Sequence, residues 1–268
     1  MATSRELESA YTIIKNEKSN IILHTPHEGV FIPSKYRGSY LIDDILAEAE
    51  KFADKNVSNV LLDVNSSKPI SKFEGLNVLK FNWSRIVLDV EKYETGDPLE
   101  AKGYGPIYTK SLNGDDLRVV SDQDREELIE IYQEYHGALE RLTNNVEKEF
   151  GDDAIILDLH SFSPTTPLLA KESSVEICLG HNGDDGSIAV VENFKRIFES
   201  RGFAVSVNDP FSGSMKPINN LTVRSVMIEI NRDLYMDMDL RYKQVDTLNS
   251  AVDECLFNIN YCEETSGN

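Results

Sequence analysis

Long apolar runs are missing from this 268-residue chain. No stretch approaches the ~18–20 residues that a membrane-crossing helix needs. Positive charge is scarce as well: 27 Lys and Arg stand against 46 Asp and Glu, for a net charge of −19 and a pI near 4.6. Nucleic acid and anionic membrane surfaces both require a basic face, so neither is an expected partner. An anionic substrate would have to be met by a local basic pocket. Cysteine is rare: Cys178, Cys255 and Cys262 are an odd number without disulfide-framework or zinc-finger spacing. The opening Met1-Ala2-Thr3-Ser4-Arg5-Glu6 has no signal-peptide core. The expected location is the cytoplasm.

What is present describes an ordinary globular protein, 40% hydrophobic and 27% charged. The length suits one domain over residues 1–268, with the acidic tail 263–268 frayed. The chain is organised around Ala154-Ile155-Ile156-Leu157-Asp158-Leu159-His160-Ser161, an apolar strand buried on both faces that ends abruptly in polar residues. A strand alternates its faces, so Asp158 and His160 point the same way. Ile21-Ile22-Leu23 is a second buried strand, delivering His24-Thr25-Pro26-His27-Glu28-Gly29 as a tight turn. Taken singly, each is also compatible with a strand end carrying a solvated imidazole.

Residues 4–18 read as a short helix or an edge hairpin. Further strands are predicted at 60–62, 78–81, 86–90, 175–181, 204–207 and 226–231, and helices at 42–53, 121–149, 188–201 and 239–259. A polar loop is expected at Asn65–Pro69, and the breaker-rich segment 94–114 reads as a long ordered loop. Alternating strands and helices imply an α/β fold: a mixed, mainly parallel sheet with helices on both faces.

Polar residues recur where strands end: His27, Asp89, His160 and Glu229, the last embedded among apolar neighbours in Val226-Met227-Ile228-Glu229-Ile230-Asn231. Two imidazoles and a carboxylate make a catalytic zinc set with one position open, and a further Glu suits proton transfer to and from water. No compact HExxH-type spacing is present, so spacing alone does not establish a metal.

A series of short motifs, in order, resembles the N-formylglutamate amidohydrolase (formylglutamate deformylase) family, relatives of the zinc carboxypeptidases, from about Ile21 to Asp237. They are Pro26-His27-Glu28-Gly29 with Ile32-Pro33, Ser84-Arg85-Ile86-Val87-Leu88-Asp89, Gly103-Tyr104-Gly105-Pro106-Ile107-Tyr108-Thr109, and Tyr135-His136 with Leu139. Asp158-Leu159-His160-Ser161, Ile177-Cys178-Leu179-Gly180, Pro210-Phe211-Ser212-Gly213 and the run Ile228 to Met236 complete the series.

The resemblance implies a phosphorylase/hydrolase-like fold and one zinc per chain. His27 and His160 would be ligands, with Asp43 the third, or else Asp44 or Asp63. Asp89 and Asp158 would hold the ligands in place, and Glu229 would be general base and then acid. The implied substrate is a small N-acyl acidic amino acid, N-formylglutamate being the family type. Another amide or small peptide, or ligand binding without catalysis, is the alternative. One departure bears on substrate: where the family carries Asn-Arg, this chain has Glu91-Lys92, losing a guanidinium fork suited to a carboxylate. Arg85, Arg224 and Arg232, with Lys92, are the candidate substitutes; a structural pairing of one of these arginines with Glu229 is the competing role.

Overall fold

Apolar runs bounded by polar turns become the strands of one sheet. The computed structural model describes residues 9–61, 75–164, 174–237, 241, 243 and 245–261. Among these residues seven strands are present, β1 (Tyr11–Ile14), β2 (Ile21–Thr25), β3 (Asn77–Phe81), β4 (Ile155–Phe162), β5 (Ile177–His181), β6 (Val205–Val207) and β7 (Arg224–Asn231), in the order β1-β3-β2-β4-β7-β5-β6. The central strands β3, β2, β4 and β7 are mutually parallel, whereas β1 pairs antiparallel with β3 and β5 antiparallel with β7. The carboxyl ends of β2, β4 and β7 therefore share one edge of the sheet, where α/β folds place their reactive groups.

The helices are α1 (Ser34–Arg37), α2 (Ile45–Phe52), α3 (Asp122–Phe150), α4 (Asp185–Ser200) and α5 (Asp246–Tyr261). Helix α3 starts at Ser121, whose side chain accepts from the Asp124 N–H at 3.1 Å. Asp122 and Asp124 sit in its first turn, where the helix dipole favours them. Its Leu128, Tyr132, Tyr135, Leu139 and Leu142 cover one face of the sheet, packing with Ile22 and Ile156. On the opposite face α4 (Val191, Phe194, Phe198) and α5 (Leu248, Ala251, Val252) bury Leu23, Leu157, Leu159, Val226, Ile228 and Ile230. Helices thus lie on both faces of a mixed, mainly parallel sheet.

Two stretches expected to be strands take other forms where they are described. Residues 86–90 are buried but form turns after β3, with the Val87 N–H bonded to Ser84 O at 2.9 Å. Their apolar character comes from coverage by α3 and the 94–114 loop side chains, not from a ladder. Val57–Leu61 is a 3₁₀ turn, again apolar because it faces the core beneath α5. The amino-terminal segment resolves as edge strand β1, and the last helix begins at Asp246. The Asn65–Pro69 loop, Asp63 and the 263–268 tail lie outside the described residues. Among the described residues no helix is long and apolar enough to cross a membrane.

Candidate active site

Strand alternation builds the site. On the face under α3, β2 presents Ile22 then His24, and β4 presents Ile156, then Asp158 and His160. On β7, Ser225 and Met227 precede Glu229. In register, His24 lies beside Asp158, and His160 beside Glu229. Apolar side chains at the strand starts thus give way to a buried polar cluster at the strand ends. The loop after β2 adds His27, and Gly29 lets it sit there. A Cβ at Gly29 would lie 2.4 Å from the Asn82 carbonyl oxygen, so only glycine permits this backbone approach.

Each site imidazole is gripped from behind. His27 Nε2 donates to Asp89 Oδ1 at 2.9 Å. Asp89 also accepts from Arg85 Nε and Nη2 (3.1 and 2.7 Å), the Tyr108 hydroxyl (2.7 Å) and the Glu91 N–H (3.1 Å). Burial opposes its ionisation, but Arg85 and His27 hold its carboxyl well below the usual range. His160 Nε2 donates to Asp158 Oδ1 at 2.9 Å; the same oxygen accepts from His24 Nδ1 at 2.7 Å, and Oδ2 accepts from the Met215 N–H. His24 Nε2 is in turn held by the Tyr135 hydroxyl at 2.7 Å, and His136 Nε2 bonds the Val90 carbonyl. These contacts give Tyr135 and His136 supporting roles beneath the site.

With Nε2 committed to a carboxylate, each ring turns its Nδ1 toward Asp54. His160 Nδ1 lies 3.1 Å from Asp54 Oδ2, and His27 Nδ1 lies 3.8 Å from that oxygen. Asp54 follows the end of α2, where its N–H bonds the His27 carbonyl at 2.9 Å. Its Oδ1 accepts from Ser161 Oγ and Arg232 Nη2. Burial works against the charge on Asp54, yet His160, His27 and Arg232 bring its pKa down to about 2. Burial likewise opposes protonation of His160, but the carboxylates of Glu91, Asp158 and Asp54 outweigh it and raise the imidazole well above its ordinary range. Glu91 also reaches in, with Oε2 3.4 Å from His27 Nδ1 and Oε1 3.3 Å from His160 Nε2. Donor atoms of His27, Glu91 and His160 lie within 4.8 Å of one another, as do those of His24, Glu91 and Asp158.

Among the described residues, buried atoms without a hydrogen-bond partner include His27 Nδ1 and Glu229 Oε2 in the site and His136 Nδ1 beneath it. Burial is the main reason that the Glu229 carboxyl is pushed up to about 8, with the charges of Asp54 and Glu91 adding to it and that of His160 opposing. The orphaned His27 Nδ1, the opposed Asp54 oxygen and carboxylate-backed rings are the chemistry of a metal-binding donor set. The residues present therefore fit a divalent metal.

The structure brings together His27, His160, Asp89, Asp158 and Glu229. It leaves Asp43 outside: that residue is exposed ahead of α2, and the neighbouring Asp44 caps the helix by accepting from the Ala47 N–H at 3.0 Å. Two other carboxylates face both imidazoles: Glu91 and, at the other end of the same helix, Asp54. Nothing in its local sequence marks it beyond a helix stop at Ala53-Asp54-Lys55-Asn56.

The arginines are mostly spoken for. Arg85 is bound to Asp89, and Arg232 to Asp54, Ser161 and the Lys51 carbonyl. Arg224 begins β7, five residues before Glu229. At ~3.3 Å per residue it stands roughly 16 Å from the site. Its charged neighbour is Asp153, at 3.7 Å. Lys92 is half-buried in the turn after Asp89, its carbonyl accepting from the Tyr132 hydroxyl.

The model of the N-formylglutamate amidohydrolase family matches residues 19–236. The chain belongs to that family. Membership makes it a hydrolase of C–N bonds. The N-formylglutamate deformylase of Pseudomonas putida is 23% identical over 231 residues, spanning 81% of this chain and 82% of that protein. Two crystal structures share the fold. The N-formylglutamate amidohydrolase of Ralstonia eutropha JMP134 has a TM-score of 0.73 at 20% identity, covering 93% of this chain and 96% of that one. A gene product of Agrobacterium tumefaciens has a TM-score of 0.68 at 18% identity, covering 96% of both.

Proposed function

We propose that the protein is a zinc-dependent amidohydrolase of a small N-acyl amino acid, with one zinc per chain held by His27 Nδ1, His160 Nδ1 and Asp54. The observation that carries this is the convergence of two carboxylate-backed imidazoles and Asp54, with the unpaired Glu229 beside His160. Zinc in such a set polarises a carbonyl and makes water more acidic. Asp89 and Asp158 fix the ring orientations, and Arg232 and Ser161 fix Asp54. Glu229 takes the proton of the attacking water as the C–O bond forms. It returns that proton to the departing nitrogen as the C–N bond breaks. A carboxyl whose pKa burial holds at about 8 is suited to both halves of this transfer near neutral pH. The sheet, parallel at its centre and antiparallel at β1 and β5, supports placing the fold with the zinc carboxypeptidases.

The acyl group is taken to be formyl, as the family name and the Pseudomonas putida relative suggest. The commitment of Arg85 and Arg232 to internal carboxylates leaves Lys92 as the cation next to Glu91. The preferred substrate therefore presents its carboxylate away from Glu91, or carries none there. Metal analysis of protein purified without chelator tests the reading. Wild type is expected to hold about one zinc per chain and the His27→Ala/His160→Ala double variant almost none, with both folded. Equal metal in the two, or no amide hydrolysis across a panel of N-formyl and N-acetyl amino acids, would end it.

A further inference from the structure

Glu91 is unexplained by the reading above. Its N–H is pinned to Asp89 Oδ1, the oxygen that also holds His27. Its side chain is only 19% exposed, and among the described residues its ion-pairing neighbours within 4 Å are three imidazoles: His27, His160 and His24. Among the described residues no Lys or Arg lies within 4 Å of it, and once His27 and His160 serve as neutral metal ligands a carboxylate so enclosed is costly unless the metal cation itself is close by. Its two oxygens are differently employed. Oε1 faces His160 Nε2 at 3.3 Å and His24 Nδ1 at 3.9 Å, both ring nitrogens already bonded to Asp158. Oε2 faces His27 Nδ1 at 3.4 Å, the buried nitrogen with no hydrogen-bond partner.

We propose that Glu91 is a fourth protein ligand to the metal, through Oε2. This rests on the metal reading above and extends it to a set of two imidazoles and two carboxylates. The second carboxylate neutralises the divalent charge within the protein and makes the site more hospitable to harder ions such as Mn²⁺. It also occupies the mouth, so that a substrate carboxylate meets a like charge there. His24, clamped between Tyr135 and Asp158, acts as a positioning residue that keeps Oε1 turned away and Oε2 turned inward.

The test uses the full-length apoprotein, titrated with Co²⁺ and followed by its visible absorption, and with Zn²⁺ against a chromogenic chelator. Wild type, Glu91→Gln and His27→Ala are compared, each checked by circular dichroism and thermal melting without metal. Loss of an orienting residue costs roughly 10–100-fold in metal affinity. Loss of a true ligand is expected to exceed this in Glu91→Gln, and to change the position and intensity of the Co²⁺ bands. If Glu91→Gln kept the wild-type dissociation constants and Co²⁺ spectrum while His27→Ala lost metal, Glu91 would not be a ligand and the metal site would stand. If His27→Ala also bound as wild type, both the ligand assignment and the metal reading would fall.

Discussion

The two faces of the central strands are made from alternate residues of the same three segments, yet they have opposite chemistry. Under α4 and α5, Leu23, Leu157, Leu159, Ile228 and Ile230 are apolar from end to end and fully buried. Under α3, Ile22 and Ile156 begin the same way, but His24, Asp158, His160 and Glu229 follow, equally out of water. Apart from Ser161 at the end of β4, whose hydroxyl bonds Asp54, the dry face serves stability. The polar face has to satisfy its donors and acceptors, and the buried atoms it leaves without a partner include His27 Nδ1 and Glu229 Oε2, the two atoms on which the proposed chemistry turns. The lesson is that one layer of side chains anchors the sheet while the other is left free to specialise.

Four variants sharpen this contrast. Glu229→Gln keeps shape and removes the base, so kcat is expected to fall by roughly 10²–10⁴. Zinc content should be unchanged, and the melting temperature held or raised, since a strained buried acid is gone. Near-wild-type turnover on a confirmed amide substrate would return Glu229 to a structural role. Leu157→Ala, one residue from Asp158 but on the dry face, should do the reverse. Loss of about 2–5 kcal/mol of stability is expected, read from urea unfolding, with kcat of the folded enzyme preserved. A large drop in kcat would mean that the faces are not independent.

A smaller effect is expected from Glu91→Asn/Lys92→Arg assayed at saturating metal. kcat/KM on N-formylglutamate should rise tenfold or more, about 1.4 kcal/mol of transition-state binding. No change from an already efficient wild type would show that another residue holds the substrate carboxylate. Smallest of all is Arg224→Ala at the far end of β7. Its kcat/KM should stay within about twofold of wild type, the scatter of a substitution that touches no site group. A tenfold loss would mean that the amino end of the strand communicates with the carboxyl end.

Much of this was readable in the sequence because apolar runs ending in polar residues have a one-dimensional signature. His27, Asp158, His160 and Glu229 each follow or interrupt such a run, and alternation put Asp158 and His160 on one face. The family motifs supplied the order. What escaped was set by tertiary approach. Asp54 lies on a turn whose local sequence marks only the end of α2, and it becomes a site residue because its N–H reaches the His27 carbonyl. Asp43 looked suitable through its place at a helix start, but helix geometry gives Asp44 capping work and points both toward solvent. The 86–90 run looked like a strand because burial, whatever its backbone, selects the same residue types. The Glu91-Lys92 departure was visible, whereas the inward reach of Glu91 was not.

The missing Cβ at Gly29 has a mechanical meaning. With the Asn82 and Trp83 carbonyls where a methyl group would be, the loop that carries His27 rests directly on the end of β3, backbone against backbone, with no side chain between them to yield. The imidazole is thus referenced to the sheet itself, as a tool is seated on a machined shoulder. The distance of its backbone from the sheet is set by the contact of peptide units, and Asp89 then fixes the ring on that backbone.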